Sequence, residues 1–172
     1  MKKSNRGFTL IELLIVVAVI LIIAAIAIPN LLRSRIAANQ ASAVASLHVL
    51  NTAEISYATT FNTGFSQTLG CLGPPSAGVL PTATAAGLID SVLSGMNSNL
   101  GSTATQSTKS GYDFVYSQAG TDTSGRINVY SITATPIAIG TTGTNSYYTD
   151  QSGVIRQNST STAGSTDSPL AG

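Results

Sequence analysis

Glu12 is the side chain in this sequence whose type and position most demand an explanation. It is the one charge inside an apolar run from Gly7 to Ile28, GFTLIELLIVVAVILIIAAIAI. A carboxylate in a membrane-length segment is costly, and residues of that kind are retained for a purpose. Three bases, Lys2, Lys3 and Arg6, precede the run and stop at Gly7. In a secretory signal the small residues of the cleavage site follow the apolar core. Here Gly7, the candidate processing residue, comes before it, so cutting there leaves the core on the mature protein. Catalytic constellations are absent. His48 and Cys71 are the single histidine and the single cysteine, too few for a zinc site of usual composition. There is no nucleophile elbow and no phosphate-binding glycine loop, and the chain reads as a non-enzyme.

The stretch KKSNRGFTLIELLIVVAVILIIAAIAIPNLL resembles the N-terminal signature of type IV prepilins and type II secretion pseudopilins. The motif G-F-T-L-x-E-L falls on Gly7, Phe8, Thr9, Leu10, Ile11, Glu12 and Leu13. The resemblance implies that a prepilin peptidase cuts between Gly7 and Phe8 on the cytoplasmic side and that Phe8 is then N-methylated. Lys2, Lys3 and Arg6 would hold the leader on that side. It also implies a partner for Glu12, namely the new Phe8 amine of the same or a neighbouring subunit. Docking one against the other neutralises both charges and sets register during assembly. Major pseudopilins often hold calcium in a C-terminal loop, which directs attention to Asp122 in GTDTSG and Asp150 in TDQSG. Neither segment has the repeated acids of a calcium loop, and Asx-turn chemistry accounts for both. No metal and no cofactor is expected.

Composition narrows the field further. Charged residues make up 9% of the chain, which excludes the clustered Lys and Arg of a nucleic-acid binder. Removing the leader takes three bases from eight and leaves five against seven acids, a side-chain balance of −2. A lone cysteine forbids an intrachain disulfide, a departure from many type IV pilins. Cys71 reads as a small buried apolar residue. Asn158-Ser159-Thr160 fits the N-glycosylation pattern, a short motif that arises often by chance.

The elements that position these residues follow from periodicity. Leu13 to Ile28 plus flanks suits the roughly 20 residues that span a bilayer. Helical character continues past Pro29 to about Thr60, because Ile36, Ala43, Leu47, Leu50, Tyr57 and Phe61 fall at three- and four-residue steps on one stripe. Pro29 should kink or loosen this helix. Gly, Pro, Ser and Thr then mark a loop, followed by a short helix in PTATAAGLIDSVLSG capped at Thr82 and stopped at Gly95, and by loop again from Asn97 to Ser110. YDFVYS (112–117) and RINVYSITATP (126–136) alternate as strands, and NSYYTD with GVIRQ forms two more around a turn at Asp150 to Gly153.

The fold class expected is α+β, type IV pilin-like, with one long N-terminal helix packed on a three- or four-stranded antiparallel sheet. Its parts are a leader (1–7), a transmembrane and filament-core half-helix (8–29), an amphipathic half-helix (30–61), a loop region with a short helix (62–111), the sheet (112–157) and a flexible tail (158–172). The function expected is a structural subunit of a type IV pilus-like filament, held in the bacterial inner membrane and then exported as a homo-oligomeric pilus. Prepilin peptidase, an assembly platform and its ATPase are the implied partners, without nucleic acid. The alternative is a pseudopilin of a type II secretion system, confined to a periplasmic pseudopilus. A third possibility, a membrane-anchored enzyme or binding module, predicts a functional pocket in the head.

Overall fold

The computed structural model describes residues 8–96 and 101–170. The chain divides into two units, Met1–Arg35 and Ile36–Gly172, and helix α1, Leu10–Phe61, contributes to both.

Within the first unit, α1 is helical through Pro29, whose missing N–H leaves the Ala25 carbonyl without its helical donor. Its aliphatic side chains are exposed, Leu10 at 80% and Ile26 at 65% among them. The segment is long and apolar enough to cross a membrane.

In the second unit the remainder of α1 buries Ala43, Leu47, Leu50, Ala53 and Tyr57. These lie at three- and four-residue spacing, so one face meets the core. Ile36 and Phe61, the ends of the expected stripe, are half-buried. Asn62 (φ 54°) ends the helix in the left-handed region, which a short polar side chain tolerates. Two residues on, Gly64 passes so close to Ile127 that a Cβ would sit 2.2 Å from the Ile127 carbonyl oxygen. Only glycine fits there, and Phe65 N–H then donates to that carbonyl at 2.8 Å.

The sheet is an antiparallel meander of five strands in chain order: β1 Gln106–Lys109, β2 Tyr112–Thr121, β3 Ile127–Pro136, β4 Ser146–Asp150 and β5 Arg156–Asn158. Phe114 pairs with Ala134 and Tyr116 with Ile132. The period-2 alternation places Tyr112, Phe114 and Tyr116 of β2 and Tyr130, Ile132 and Ala134 of β3 on the buried face, against α1. Burying aromatic and aliphatic side chains of this size is worth about 1.5–3 kcal/mol each.

Three parts differ from the sequence-based expectation. The sheet has five strands because β1, read as loop, pairs with β2; its sequence, QSTK, has no apolar alternation to betray it. The segment expected as a short helix from Thr82 to Gly95 is a run of turns. Its N–H groups at Ala86, Gly87 and Leu88 donate to the carbonyls of Cys71, Gly73 and Leu72 instead of to their own turn. Gly87 (φ 68°) interrupts any helix there. The tail, unpatterned in composition, is hydrogen-bonded back onto the head: Leu170 N–H donates to Ile155 O at 2.8 Å and Gln157 N–H to Ser168 O at 3.0 Å. Part of the expected loop, residues 97–100, and the leader, including Lys2, Lys3, Arg6 and Gly7, lie outside the described residues.

Candidate assembly site

Thr9 and Glu12 form a reciprocal cap at the start of α1. Glu12 Oε2 accepts from the Thr9 backbone N–H at 2.8 Å and from its hydroxyl at 2.8 Å, while Glu12 N–H donates to Thr9 Oγ1 at 3.3 Å. This is a capping box, in which two helix-terminal donors are satisfied by two side chains three residues apart. The T-x-x-E spacing inside the G-F-T-L-x-E-L motif signals it, and reading Glu12 only as an ion-pair partner misses it. The carboxylate is thereby held at the helix terminus, next to the junction where cleavage would create an amine. Phe8 is 84% exposed. Leu10, Leu13, Leu14, Val17, Ala18 and Leu21 line a shallow apolar groove of about 440 Å³ on the same helix. Chemically, this end of the chain offers one oriented anion beside a broad greasy face.

The head contains a second acid that sequence reading passed over. Glu54 is fully buried on α1, on the same stripe as Leu47, Leu50 and Tyr57. Its Oε2 accepts from Ser66 N–H at 2.8 Å and its Oε1 from the Ser66 hydroxyl at 2.6 Å. Tyr116 donates its hydroxyl to the Ser66 carbonyl at 2.7 Å. Burial raises the Glu54 carboxyl above its ordinary value, opposed by the Ser66 hydrogen bonds. Burial and the nearby Glu54 push the Tyr116 and Tyr130 hydroxyls well up. One turn earlier, Asn51 donates to Thr149 Oγ1 at 2.9 Å and to Gly153 O at 3.2 Å, and accepts from the Tyr130 hydroxyl at 3.1 Å. These polar side chains tie α1 to the post-helix loop, β2, β3 and β4. Their arrangement is a structural scaffold: each buried polar atom is matched to another, as a core requires.

The remaining candidates are occupied locally. Asp122 Oδ1 accepts from Ser124 N–H at 2.8 Å and Arg126 N–H at 2.9 Å. Asp150 Oδ1 accepts from Ser152 N–H at 2.9 Å and from its hydroxyl at 2.5 Å. Both are turn-forming aspartates. Among the described residues no group of three or more His, Cys, Asp or Glu side chains is arranged to hold a metal ion. Cys71 is buried, with its sulfur 3.2 Å from Thr68 Oγ1. His48 lies on the exposed side of α1, in a shallow groove of about 300 Å³ with Val49, Thr52 and Leu88. Asn158, the N-glycosylation candidate, donates through its amide nitrogen to Asp167 Oδ1 at 2.9 Å and accepts from Thr160 and Ser161 N–H groups.

A family model described as the prokaryotic N-terminal methylation motif matches residues 2–28. The chain is 55% identical over 53 residues to the type IV major pilin protein PilA of Myxococcus xanthus, an alignment covering 31% of this chain and 24% of that protein. It is 54% identical over 46 residues to the type IV wide pilus major component PilA4 of Thermus thermophilus, covering 27% of this chain and 35% of that protein. The matches thus span about a quarter to a third of these relatives' length. No solved structure matches. The likeness to type IV pilins read from the N-terminal residues is borne out, and the α+β arrangement of one long helix with an antiparallel sheet is pilin-like.

Proposed function

We propose that this chain is the structural subunit of a type IV pilus-like filament. Prepilin peptidase removes residues 1–7, Phe8 becomes the N-methylated amino terminus, and residues 8–29 hold the subunit in the inner membrane. The observation that carries this reading is the exposed apolar face from Phe8 to Ile28, broken by one capped carboxylate, within a matched methylation motif.

The energetics explain why the carboxylate matters. In the membrane the aliphatic face is already out of water, so moving it from lipid to a filament core is nearly neutral hydrophobically. Packing and polar pairing then decide the balance. A Phe8 ammonium meeting a neighbour's Glu12 supplies the pairing, and Pro29, which removes a backbone bond, is the place where α1 loosens as subunits pack. Extraction from the bilayer requires work from an assembly platform and its ATPase. The pseudopilin reading shares this N-terminus and is favoured by the β4-turn-β5 segment SYYTDQSGVIR. Deletion and shearing separate the two. Surface filaments built of this chain establish the pilus, whereas confinement to the envelope with loss of protein secretion on deletion establishes the pseudopilus. In either, Glu12→Ala inserts into the membrane and fails to polymerise; a normal filament yield from that variant rejects the assembly role.

A further inference from the structure

Two loops of the head present large aliphatic side chains to solvent. In the loop before the Thr82–Ala85 turn, Val79 is 54% and Leu80 82% exposed. In the β3–β4 loop, Ile137 is 54% and Ile139 81% exposed. Both loops are built rather than slack. Val79 N–H donates to Ser76 O at 3.0 Å and Thr82 N–H to Ala85 O at 3.1 Å. Gly140 N–H donates to Gly143 O at 2.8 Å, and Thr142 Oγ1 accepts from Ala138 N–H at 3.1 Å.

Their anchors on α1 place them at opposite ends of the head. The β3–β4 loop is tied to the early part of the head helix, where Asn39 donates to Thr142 O at 2.9 Å. The other loop is tied near its end, where the Tyr57 hydroxyl donates to Ala83 O at 2.7 Å. Asn39 and Tyr57 are separated by 18 positions, about 27 Å along a helix axis. Both loops are also uncharged: no Asp, Glu, Lys or Arg occurs from Gly73 to Ile89 or from Pro136 to Thr149. The charges of the head lie elsewhere, among them Asp90, Lys109, Asp122, Arg126 and Asp150. Contact between the two loops therefore buries aliphatic surface without desolvating a charge, which removes one of the costs of forming an interface.

We propose that these tips meet head to tail in neighbouring copies of this chain, Ile137 and Ile139 of one copy against Val79 and Leu80 of another. Unlike patches at opposite ends of one subunit generate an open polymer wherever the rotation between copies does not close a ring, whereas a single self-complementary patch closes a dimer. The inference rests on the filament reading above and adds the head surface through which subunits stack.

The test is disulfide trapping in filaments sheared from cells that express Leu80→Cys, Ile139→Cys or the double variant. Both positions are exposed, so the head folds as before, and native Cys71 is buried. After an added oxidant, the double variant is expected to run as a ladder of dimers and longer chains without reductant, and each single variant as monomer. Filaments whose double variant stays monomeric, or whose single variants dimerise equally, overturn the head-to-tail contact. Absence of this chain from any filament in the unmodified strain overturns the reading beneath it, and that result is distinct.

Discussion

The Glu54 carboxylate lies 2.8 Å from the backbone nitrogen of Ser66, and neither residue is accessible to solvent. An acid on α1 thus fixes the first stretch of chain after the helix, twelve residues away. Tyr116, Tyr130 and Tyr57 are the titratable groups that face it, and its environment supplies hydrogen bonds in place of a cation.

This burial gives the head a pH dependence. The folded carboxyl is raised above its ordinary value, chiefly by burial. The folded state therefore holds the proton at pH values where the unfolded chain has lost it. The resulting stability is fully present below the ordinary carboxyl range and is lost as pH rises through the folded value. Thermal melts of the full chain in detergent should show this decline, and Glu54→Gln should flatten it. Glu54→Ala should also remove this decline, and below the ordinary carboxyl range it should lower stability by about 2–3 kcal/mol, because the Ser66 N–H and hydroxyl are left buried without an acceptor.

Asp167 clasps the C-terminal segment without a disulfide. Its Oδ1 accepts from Asn158 at 2.9 Å, its Oδ2 from Gly164 N–H at 2.7 Å, and its carbonyl from Arg156 at 3.0 Å. Asp167→Ala should cost about 1–2 kcal/mol. Limited proteolysis should then cut between residues 159 and 169 in the variant well before it cuts the unmodified chain.

Thr9 holds the Glu12 carboxylate through two hydrogen bonds. Thr9→Val removes the hydroxyl and should speed amide exchange across Leu10 to Leu13 several-fold in detergent-solubilised chain. Thr9→Ser should restore the unmodified rates, because the hydroxyl rather than the methyl group makes the cap.

Cys71 is 5% exposed. A thiol so placed reacts only when the structure opens. Maleimide labelling should be slow in native buffer and fast in denaturant, and rapid labelling of the native chain would contradict the burial.

Much of this architecture is legible in the residues, and the exceptions have physical causes. Tyr112, Phe114 and Tyr116 announce β2 because one face of that strand is apolar and the other is not. β1 carries no such contrast, since Gln106 to Lys109 are polar throughout and only their pairing with β2 makes them a strand. The Leu88, Ile89, Val92 and Leu93 spacing suggests a helix, yet the Leu88 and Ile89 N–H groups donate to Leu72 O, a long-range bond that no local pattern encodes, and those of Val92 and Leu93 donate to the Asp90 carboxylate. Glu54 was within reach: an acid at a core position of a helical stripe signals either a partner or an error. The Asp167 clasp was not, because it joins side chains in a stretch with no periodicity. At the N-terminus the motif marks Glu12, and its spacing from Thr9 already contains the cap.

In the proposed filament the processed Phe8 amine is the partner of Glu12. The most direct measurement is a dipolar distance by solid-state NMR between the Phe8 amine nitrogen and the Glu12 carboxyl carbon in labelled filaments. Filaments mixed from separately labelled subunits distinguish pairing within a chain from pairing between chains. An ion pair there gives a separation of about 4 Å, the range in which opposite charges stabilise each other. A separation beyond about 6 Å in both uniformly labelled and mixed filaments would contradict it.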